Sequence, residues 1–143
     1  MTTSSVRATP AQEAWSLIGR LMAERRGDML ALASEFELSP PQMFTLLHLR
    51  DGEPVPMREV AAHLRCDNSN VTGIVDRLED RGFVARATAA HDRRVKHLTI
   101  TAEGRAIADR VAERMGRPPA ELDRLTREEQ RHLRDLLRRA FAG

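Results

Sequence analysis

The chain has 143 residues, enough for one domain with a modest hydrophobic core, since 41% of its residues are hydrophobic. Its 23 basic and 21 acidic residues leave a net charge of +2, which excludes a polycation that binds nucleic acid through overall charge. One cysteine excludes an internal disulfide, and the sequence shows no signal peptide and no apolar run of membrane-spanning length. We therefore expect a soluble, cytoplasmic protein without a membrane partner.

The first predicted helix covers residues 9–36 and has a well-marked start. Thr9 and Gln12 have the spacing of a capping box, and Pro10 stands at the first helical position. Apolar side chains then recur every three or four residues, a seam that suits packing against another long helix, including one from a second subunit. The seam consists of Trp15, Ile18, Met22, Met29, Leu32 and Phe36.

The next predicted helix begins at a second capping box, formed by Ser39 and Gln42. Leu38 and Met43 flank this start at the spacing of a hydrophobic staple. The helix is expected to stop at Asp51, because a glycine and two prolines follow within a few residues and favour a loop.

Residues 57–82 have the pattern of a helix-turn-helix. A short helix over 57–64 precedes a tight turn, and Asp67 is a good N-cap for a second helix that ends near Gly82. The apolar stripe of this second helix consists of Val71, Ile74, Val75 and Leu78, and its other face of Ser69, Thr72, Gly73, Asp76 and Arg77. A face with short hydrogen-bonding groups near the helix start and a cation further on suits the floor of a DNA groove.

Two β-leaning runs follow, over 83–86 and 95–100, and residues 87–94 join them as a long tip. A helix-turn-helix followed by such a hairpin is a winged helix. The hairpin region also holds a local excess of positive charge that the whole-chain balance conceals. Its cations are Arg81, Arg86, Arg93, Arg94 and Lys96, against the single acid Asp92. Arg81 is as compatible with a solvated helix end as with a DNA contact.

Further amphipathic helices are predicted within residues 102–143. Thr101 can cap the first of them, and the last starts with a third capping box. Their apolar stripes, like that of residues 9–36, lie outside the winged lobe over 39–101 and need a partner, which a symmetric dimer would supply. We therefore predict a mainly α fold, one domain over 1–143, in which a winged helix-turn-helix with a small β-hairpin wing is flanked by N- and C-terminal dimerisation helices.

The winged lobe resembles the MarR family of bacterial transcription regulators. The resemblance covers about residues 39–104 and rests on NSNVTGIVDRLEDRGFVAR at 68–86, DRR at 92–94 and LTITAEG at 98–104. It implies a homodimer on double-stranded DNA with a palindromic operator, joined by its first and last helices, usually repressing and often released by a small aromatic or apolar effector. The chain departs from the family pattern at Met57, where a Ser or Thr cap is common, and at Gly73, where a larger side chain is common.

The candidate DNA contacts lie on the second helix of the helix-turn-helix and in the wing. Short polar side chains suit base edges, and Gly73 permits close approach of the backbone to DNA. The resemblance implies that Arg77 contacts DNA and that Asp92 steadies Arg94, which enters the minor groove. Asp76 is expected to orient Arg77 or to select against wrong bases, and the other wing cations to contact phosphates. The full set is Asn68, Ser69, Asn70, Thr72, Gly73, Asp76, Arg77, Asp92, Arg93, Arg94 and Lys96.

Other functions fit parts of the sequence. A winged-helix module could bind another protein through its terminal helices without specific DNA binding, and it would then show no salt-sensitive affinity for DNA. Cys66 suggests a thiol-based redox sensor, although a turn before a reading helix more often needs a small buried residue. The cysteine sensors that the resemblance brings to mind carry the thiol in the first helix, which here has none.

Chemistry at a metal or a catalytic centre is not expected. His63 and Cys66 are three residues apart, but no paired ligand cluster accompanies them, so we expect neither a metal nor a cofactor. No Ser-His-Asp ordering, phosphate loop or nucleotide-binding glycine pattern points to an enzyme. Apolar side chains that could line an effector pocket are Trp15, Met22, Met43 and Phe44, for which an ordinary core role is favoured, so no effector-binding residue is assigned.

Overall fold

The computed structural model describes residues 8–142, apart from the side chain of Asn68. The elements in chain order are α1 Pro10–Glu35, α2 Pro40–His48, β1 Val55–Pro56, α3 Met57–Leu64, α4 Asn68–Asp80, β2 Val84–Ala89, β3 Asp92–Ile100, α5 Ala102–Gly116, a 3₁₀ turn Ala120–Arg124 and α6 Arg127–Phe141. This helical architecture with one small antiparallel sheet confirms the predicted fold class.

Side chains cap the helix starts that the sequence marks. The Thr9 hydroxyl accepts a hydrogen bond from the Gln12 amide at 3.3 Å, and the Gln12 side chain accepts one from the Thr9 amide at 2.8 Å. The same reciprocal pair begins α2 and α6. Each pair satisfies backbone donors that the first turn of a helix leaves without partners. At its other end α2 stops at His48, before the predicted Asp51, and the chain turns there through Gly52 at φ +86°.

The helix-turn-helix forms where the sequence predicts it, with one difference at the start of α4. Asp67 occupies the N-cap position, but its carboxylate makes no capping hydrogen bond, so that part of the prediction is wrong. The first turn is held instead by the backbone, since the Val71 amide donates to the Asp67 carbonyl at 3.1 Å. The predicted end is confirmed, because Gly82 takes a φ of +74° and the Phe83 amide donates to the Leu78 carbonyl at 2.9 Å.

The wing differs from its predicted form. Strands β2 and β3 continue pairing to Ala89 and Asp92, so only residues 90–91 form the turn and the predicted long tip is wrong. The outer part of the hairpin is held by backbone pairing, with an irregularity between Thr88 and Ala89. It lacks the alternating apolar side chains by which a sequence reveals a strand. A third strand, β1, pairs with β3 and was also missed, because a proline-containing stretch reads as a loop although proline is tolerated at a sheet edge.

The hydrophobic core lies where α2, α3, α4 and α5 meet the sheet. Its largest fully buried apolar side chains are Met43, Leu46, Leu49, Val60, Val71, Val75, Leu78, Val84, Leu98 and Val111. Gly104 lets α5 lie directly against the chain leaving α4, because a Cβ there would collide with the Phe83 carbonyl oxygen. Helix α4, the second helix of the helix-turn-helix and called the reading helix below, and the wing are therefore both fixed to one core.

The apolar seam of α1 divides into two parts. Leu32, near its C-terminal end, is buried in the core, whereas Trp15 and Met22 are 69% and 62% exposed. In α6 the apolar stripe is also open, with Phe141 82% exposed. The two terminal helices thus present apolar faces that a single copy of the chain does not cover. None of the helices over residues 8–142 combines the length and the apolar character needed to cross a membrane.

Candidate nucleic-acid interface

Helix α4 has the two unlike faces that the sequence predicts. Val71, Val75 and Leu78 are at most 1% exposed and hold the helix against the core. The opposite face is solvent-accessible and carries Ser69, Asn70, Thr72, Gly73, Asp76 and Arg77. Asn68 begins the helix, but its side chain lies outside the part that the structure describes. Within the described part of the chain, the Arg77 guanidinium has no ion-pair partner, so it is available to an external anion.

Gly73 lies in the middle of this outer face, where the space above the backbone is open. A Cβ added there would meet no heavy atom within 4 Å. No neighbouring part of the folded chain therefore requires glycine at this position. A glycine here costs helix stability, roughly 1 kcal/mol relative to alanine.

The charged side chains on the second strand of the wing are open to solvent. Asp92, Arg93, Arg94 and Lys96 are all exposed, and they lie on strand β3 rather than on a flexible tip. The Asp92 carboxylate accepts a hydrogen bond from the Arg94 backbone amide at 2.9 Å. The acid therefore fixes the main chain from which the Arg94 side chain extends. This contact is the one through which Asp92 can steady Arg94.

A groove of about 460 Å³ runs between α3, α4 and the wing. Thr72 of α4 lines it together with Arg94 and Lys96 of β3, so residues predicted from two separate segments meet at one surface. The lining also includes Arg58 at the start of α3, which the sequence reading missed. Four of the lining residues are cationic and none is acidic; the cations are Arg58, Arg86, Arg94 and Lys96. Arg86 is paired with Asp76, whereas the other three have no ion-pair partner among the described residues, so their charge can attract an anionic partner.

Arg86 and Asp76 form a bridge between the wing and the reading helix. The Arg86 guanidinium donates to the Asp76 carboxylate, and its Nε lies 3.5 Å from the Glu79 carboxylate. The Arg86 side chain is only 25% exposed, so this pair is partly shielded from solvent. The sequence analysis expected Asp76 to orient Arg77, but in the structure Asp76 pairs with Arg86 of the wing instead. One cation counted in the wing therefore fixes the angle of the wing to α4.

Two histidines stack behind the helix-turn-helix. The rings of His48 and His63 lie 4.1 Å apart with an interplanar angle of 17°. Burial lowers the pKa of His48 below its ordinary value, and the neighbouring His63 adds to that effect, while Glu59 opposes it. Cys66 is a free thiol of intermediate burial. Over residues 8–142, no group of three or more His, Cys, Asp or Glu side chains is arranged to hold a metal ion.

The fold and this groove define a class of protein. An exposed helix face after a tight turn, with a cationic wing beside it, is the architecture of winged helix-turn-helix DNA-binding proteins. The sequence profile of the MarR family matches residues 38–96, which contain the helix-turn-helix and most of the wing. The chain belongs to the MarR family of transcriptional regulators.

Similar proteins support this assignment along most of the chain. The HTH-type transcriptional repressor Rv2887 of Mycobacterium tuberculosis is 30% identical over 122 residues, which cover 85% of this chain and 88% of the relative. The chain spans 64% and 50% of the lengths of two Bacillus subtilis regulators that it also matches. A MarR family protein from Bacillus stearothermophilus has a similar structure, with a TM-score of 0.76, 25% identity and 90% of each chain covered. NadR in complex with 4-hydroxyphenylacetate gives a TM-score of 0.63 at 25% identity, over 98% of this chain and 97% of that one.

Proposed function

We propose that the protein is a homodimer that binds specific double-stranded DNA through α4 and the wing, and that it represses transcription from a palindromic operator. The observation that carries this proposal is the cationic groove between α3, α4 and the wing, which joins Thr72 with Arg94 and Lys96. A helix with its outer face exposed in this way fits the major groove, and the wing then reaches the neighbouring minor groove. As part of this proposal we assign the protein to the cytoplasm, where bacterial chromosomal DNA lies.

The exposed face of α4 supplies the sequence-reading groups. Its first turns carry short donors and acceptors, which suit base edges, and Arg77 follows one to two turns later, within reach of a guanine edge or a phosphate. Gly73 lets the helix backbone approach DNA closely. The side chains that we assign to base edges are Asn68, Ser69, Asn70 and Thr72.

The wing supplies a second set of contacts. Arg94 extends from a backbone amide fixed by Asp92, and we assign it to the minor groove. Arg93 and Lys96 are exposed and contribute salt-dependent affinity through phosphates. Arg58 joins this group, since it lines the same groove from the start of α3. Asp76 acts through its bridge to Arg86 rather than as a cation-orienting group on α4.

Dimerisation is assigned to residues 9–36 and 102–143, outside the winged lobe over 39–101. Within residues 8–142, the large apolar side chains that are exposed in a single copy all lie on α1 and α6, namely Trp15, Leu17, Ile18, Met22, Leu30, Leu136, Leu137 and Phe141. Exposed apolar area of this kind favours an interface. A two-fold symmetric partner would cover both helices at once and would place two copies of α4 on the two halves of a palindrome.

Release by a small aromatic or apolar effector is the regulatory part of the proposal. NadR was crystallised with 4-hydroxyphenylacetate, an aromatic acid. In the present chain, Trp15 is 69% exposed and Met43 is fully buried, so these two do not line one pocket within a protomer. A cavity of about 310 Å³ lies instead between α1 and α5. Met29 and Met115 line it together with charged side chains, among them Arg25 and Arg114, which would suit an effector that carries an acid group beside an apolar part. A ligand shifts the protein between conformations only if it binds one of them more tightly.

Selection from a random pool of duplex DNA, followed by titration at several salt concentrations, tests the proposal. We expect a palindromic site whose binding weakens steeply with salt. Arg77→Ala and Arg94→Ala should each weaken binding, whereas the same change at Arg117, which lies after α5 and pairs with Glu113, should not. Recovery of no duplex would contradict the function and favour a protein-interaction module. Binding at wild-type strength by both groove variants would contradict the site.

A further inference from the structure

Arg81 connects the end of the reading helix to the end of α1. It is the C-cap residue of α4, and its guanidinium donates hydrogen bonds to two backbone carbonyls, those of Glu37 at 2.5 Å and Phe36 at 3.1 Å. Those carbonyls belong to the corner between α1 and α2. The side chain is therefore directed into the protein's own backbone and away from the role of a free wing cation.

The corner offers these carbonyls because of how α1 ends. The Leu38 amide donates to the Ala33 carbonyl and the Glu37 amide to the Ser34 carbonyl, both at 2.9 Å, with Glu37 at φ +54°. This pattern closes the helix by turning the chain through a left-handed residue. The carbonyls of Phe36 and Glu37 lie beyond that closure, at the negative end of the helix dipole, where a cation is stabilising.

The contact needs the shape of arginine as well as its charge. A planar guanidinium can donate to two neighbouring acceptors at once, whereas an ammonium group is a point charge. The same guanidinium lies over the Phe83 ring, 4.7 Å from its centroid, and 4.0 Å from the Glu37 carboxylate. Arg81 is thus held between Phe83, which lies after the turn at the end of α4, and the corner that follows α1, with its side chain 33% exposed.

We propose that Arg81 is a positioning residue for DNA binding, one that fixes the reading helix to the end of α1 without touching DNA. The inference rests on the proposed function, since it concerns the helix assigned to the major groove. It also gives the dimerisation helix a direct mechanical link to that helix. A displacement of the C-terminal end of α1 would be passed to α4 through this side chain.

Paired substitutions at Arg81 and Arg93 test the inference on a duplex selected by the wild-type protein from a random pool. Arg81→Lys keeps the positive charge but loses the planar group that donates to two carbonyls at once. We therefore expect this variant to bind the duplex about tenfold more weakly, equivalent to roughly 1.4 kcal/mol, with an unchanged dependence on salt. Arg93 is the matched control, because it is assigned to a phosphate. Arg93→Gln removes that cation and should lower the slope of log K against log salt by about 0.9 for each lost contact.

Amide hydrogen exchange supplies a readout that does not depend on DNA. In Arg81→Lys, the amides of Leu38 and Phe83 should exchange faster than in the wild type, while those of α6 should not change. The inference would be overturned if Arg81→Lys bound the duplex as tightly as the wild type. It would also be overturned if Arg81→Gln lowered the slope of log K against log salt as much as Arg93→Gln does. Either result would make Arg81 a phosphate contact. If the Leu38 and Phe83 amides of Arg81→Lys exchange as in the wild type, and this variant binds the duplex normally, the inference is overturned while the proposed function stands. If no duplex is recovered, the proposed function fails and this inference is overturned with it.

Discussion

Replacing Gly73 with alanine separates the stability of the fold from the binding of DNA. Gly73 lies within α4, Asn68–Asp80, and a Cβ there would meet no heavy atom within 4 Å. The substitution therefore adds helix propensity without a packing cost, and we expect each protomer to gain about 1 kcal/mol. For a chain of this size, such a gain corresponds to a rise in Tm of about 2–4 °C.

The same methyl group would enter the space that we assign to DNA. Where surfaces are already in contact, an added methyl group costs about 1–3 kcal/mol, which is roughly a 5- to 150-fold loss of affinity. Thermal unfolding measures the first effect, and titration with the selected duplex measures the second. Gly27→Ala is a matched control, because Gly27 is an interior residue of α1 with equally open surroundings. It should raise Tm by a similar amount, which measures the effect of helix propensity at a position outside the proposed DNA-binding face.

Two results would refute this reasoning. A Tm that does not rise in Gly73→Ala would mean that the outer face of α4 is not open in the folded protein. A higher Tm with unchanged affinity for the duplex would mean that DNA does not approach the backbone at this position. In that second case the assignment of the helix face to the major groove would need to be abandoned.

Three further predictions concern the histidine stack, the α4–α5 contact and the wing. Since His48 has a pKa below its ordinary 6.5, the native state takes up this proton less readily than the unfolded chain, and stability should fall as the pH drops below 6.5. Urea unfolding at about pH 7.5 and about pH 5.5 should show that loss in the wild type and a smaller one in His48→Gln; equal losses would contradict it. Gly104→Ala should lower the free energy of unfolding by about 1–3 kcal/mol, because its Cβ collides with the Phe83 carbonyl, and wild-type stability in chemical denaturation would disprove that contact. Asp92→Ala should weaken DNA binding about fivefold by releasing the Arg94 amide, as seen by gel shift, whereas Asp92→Asn, which keeps an acceptor, should recover most of it; equal binding by both variants would argue against the role of this bond.

The helices could be predicted because their signals are local. A capping box is complete within four residues, and the boxes at Thr9, Ser39 and Thr126 all form as the sequence indicates. The buried and exposed faces of α4 could also be predicted, because apolar residues recur every three to four positions in the sequence itself. The Asp67 cap was the exception, because spacing alone cannot tell whether a carboxylate turns toward its helix.

The wing and the contacts around it depend on pairing between distant segments. Strand β1 exists only because Val55 lies opposite Leu98, and a two-residue strand has no periodicity to detect. Arg81 and Arg86 were counted as wing charge, yet one caps the α1–α2 corner and the other bridges to Asp76. A sequence gives the charge of such residues but not the carbonyl or carboxylate that tertiary packing brings to them. The groove cation Arg58 was missed for the same reason.

Footprinting of the selected duplex, with the mass of the complex measured in parallel, shows whether two copies of α4 bind the two halves of one DNA site. We expect two protein chains per duplex and two segments in which guanine N7 atoms of the major groove are protected from dimethyl sulfate. These segments should lie on one face of the DNA, with their centres about one helical turn of 10–10.5 base pairs apart or a multiple of it. Hydroxyl radicals, which attack the deoxyribose from the minor groove, should show protection by the two wings on either side of them. One protein chain per duplex, or a single protected segment without symmetry, would rule out a symmetric dimer on a palindrome.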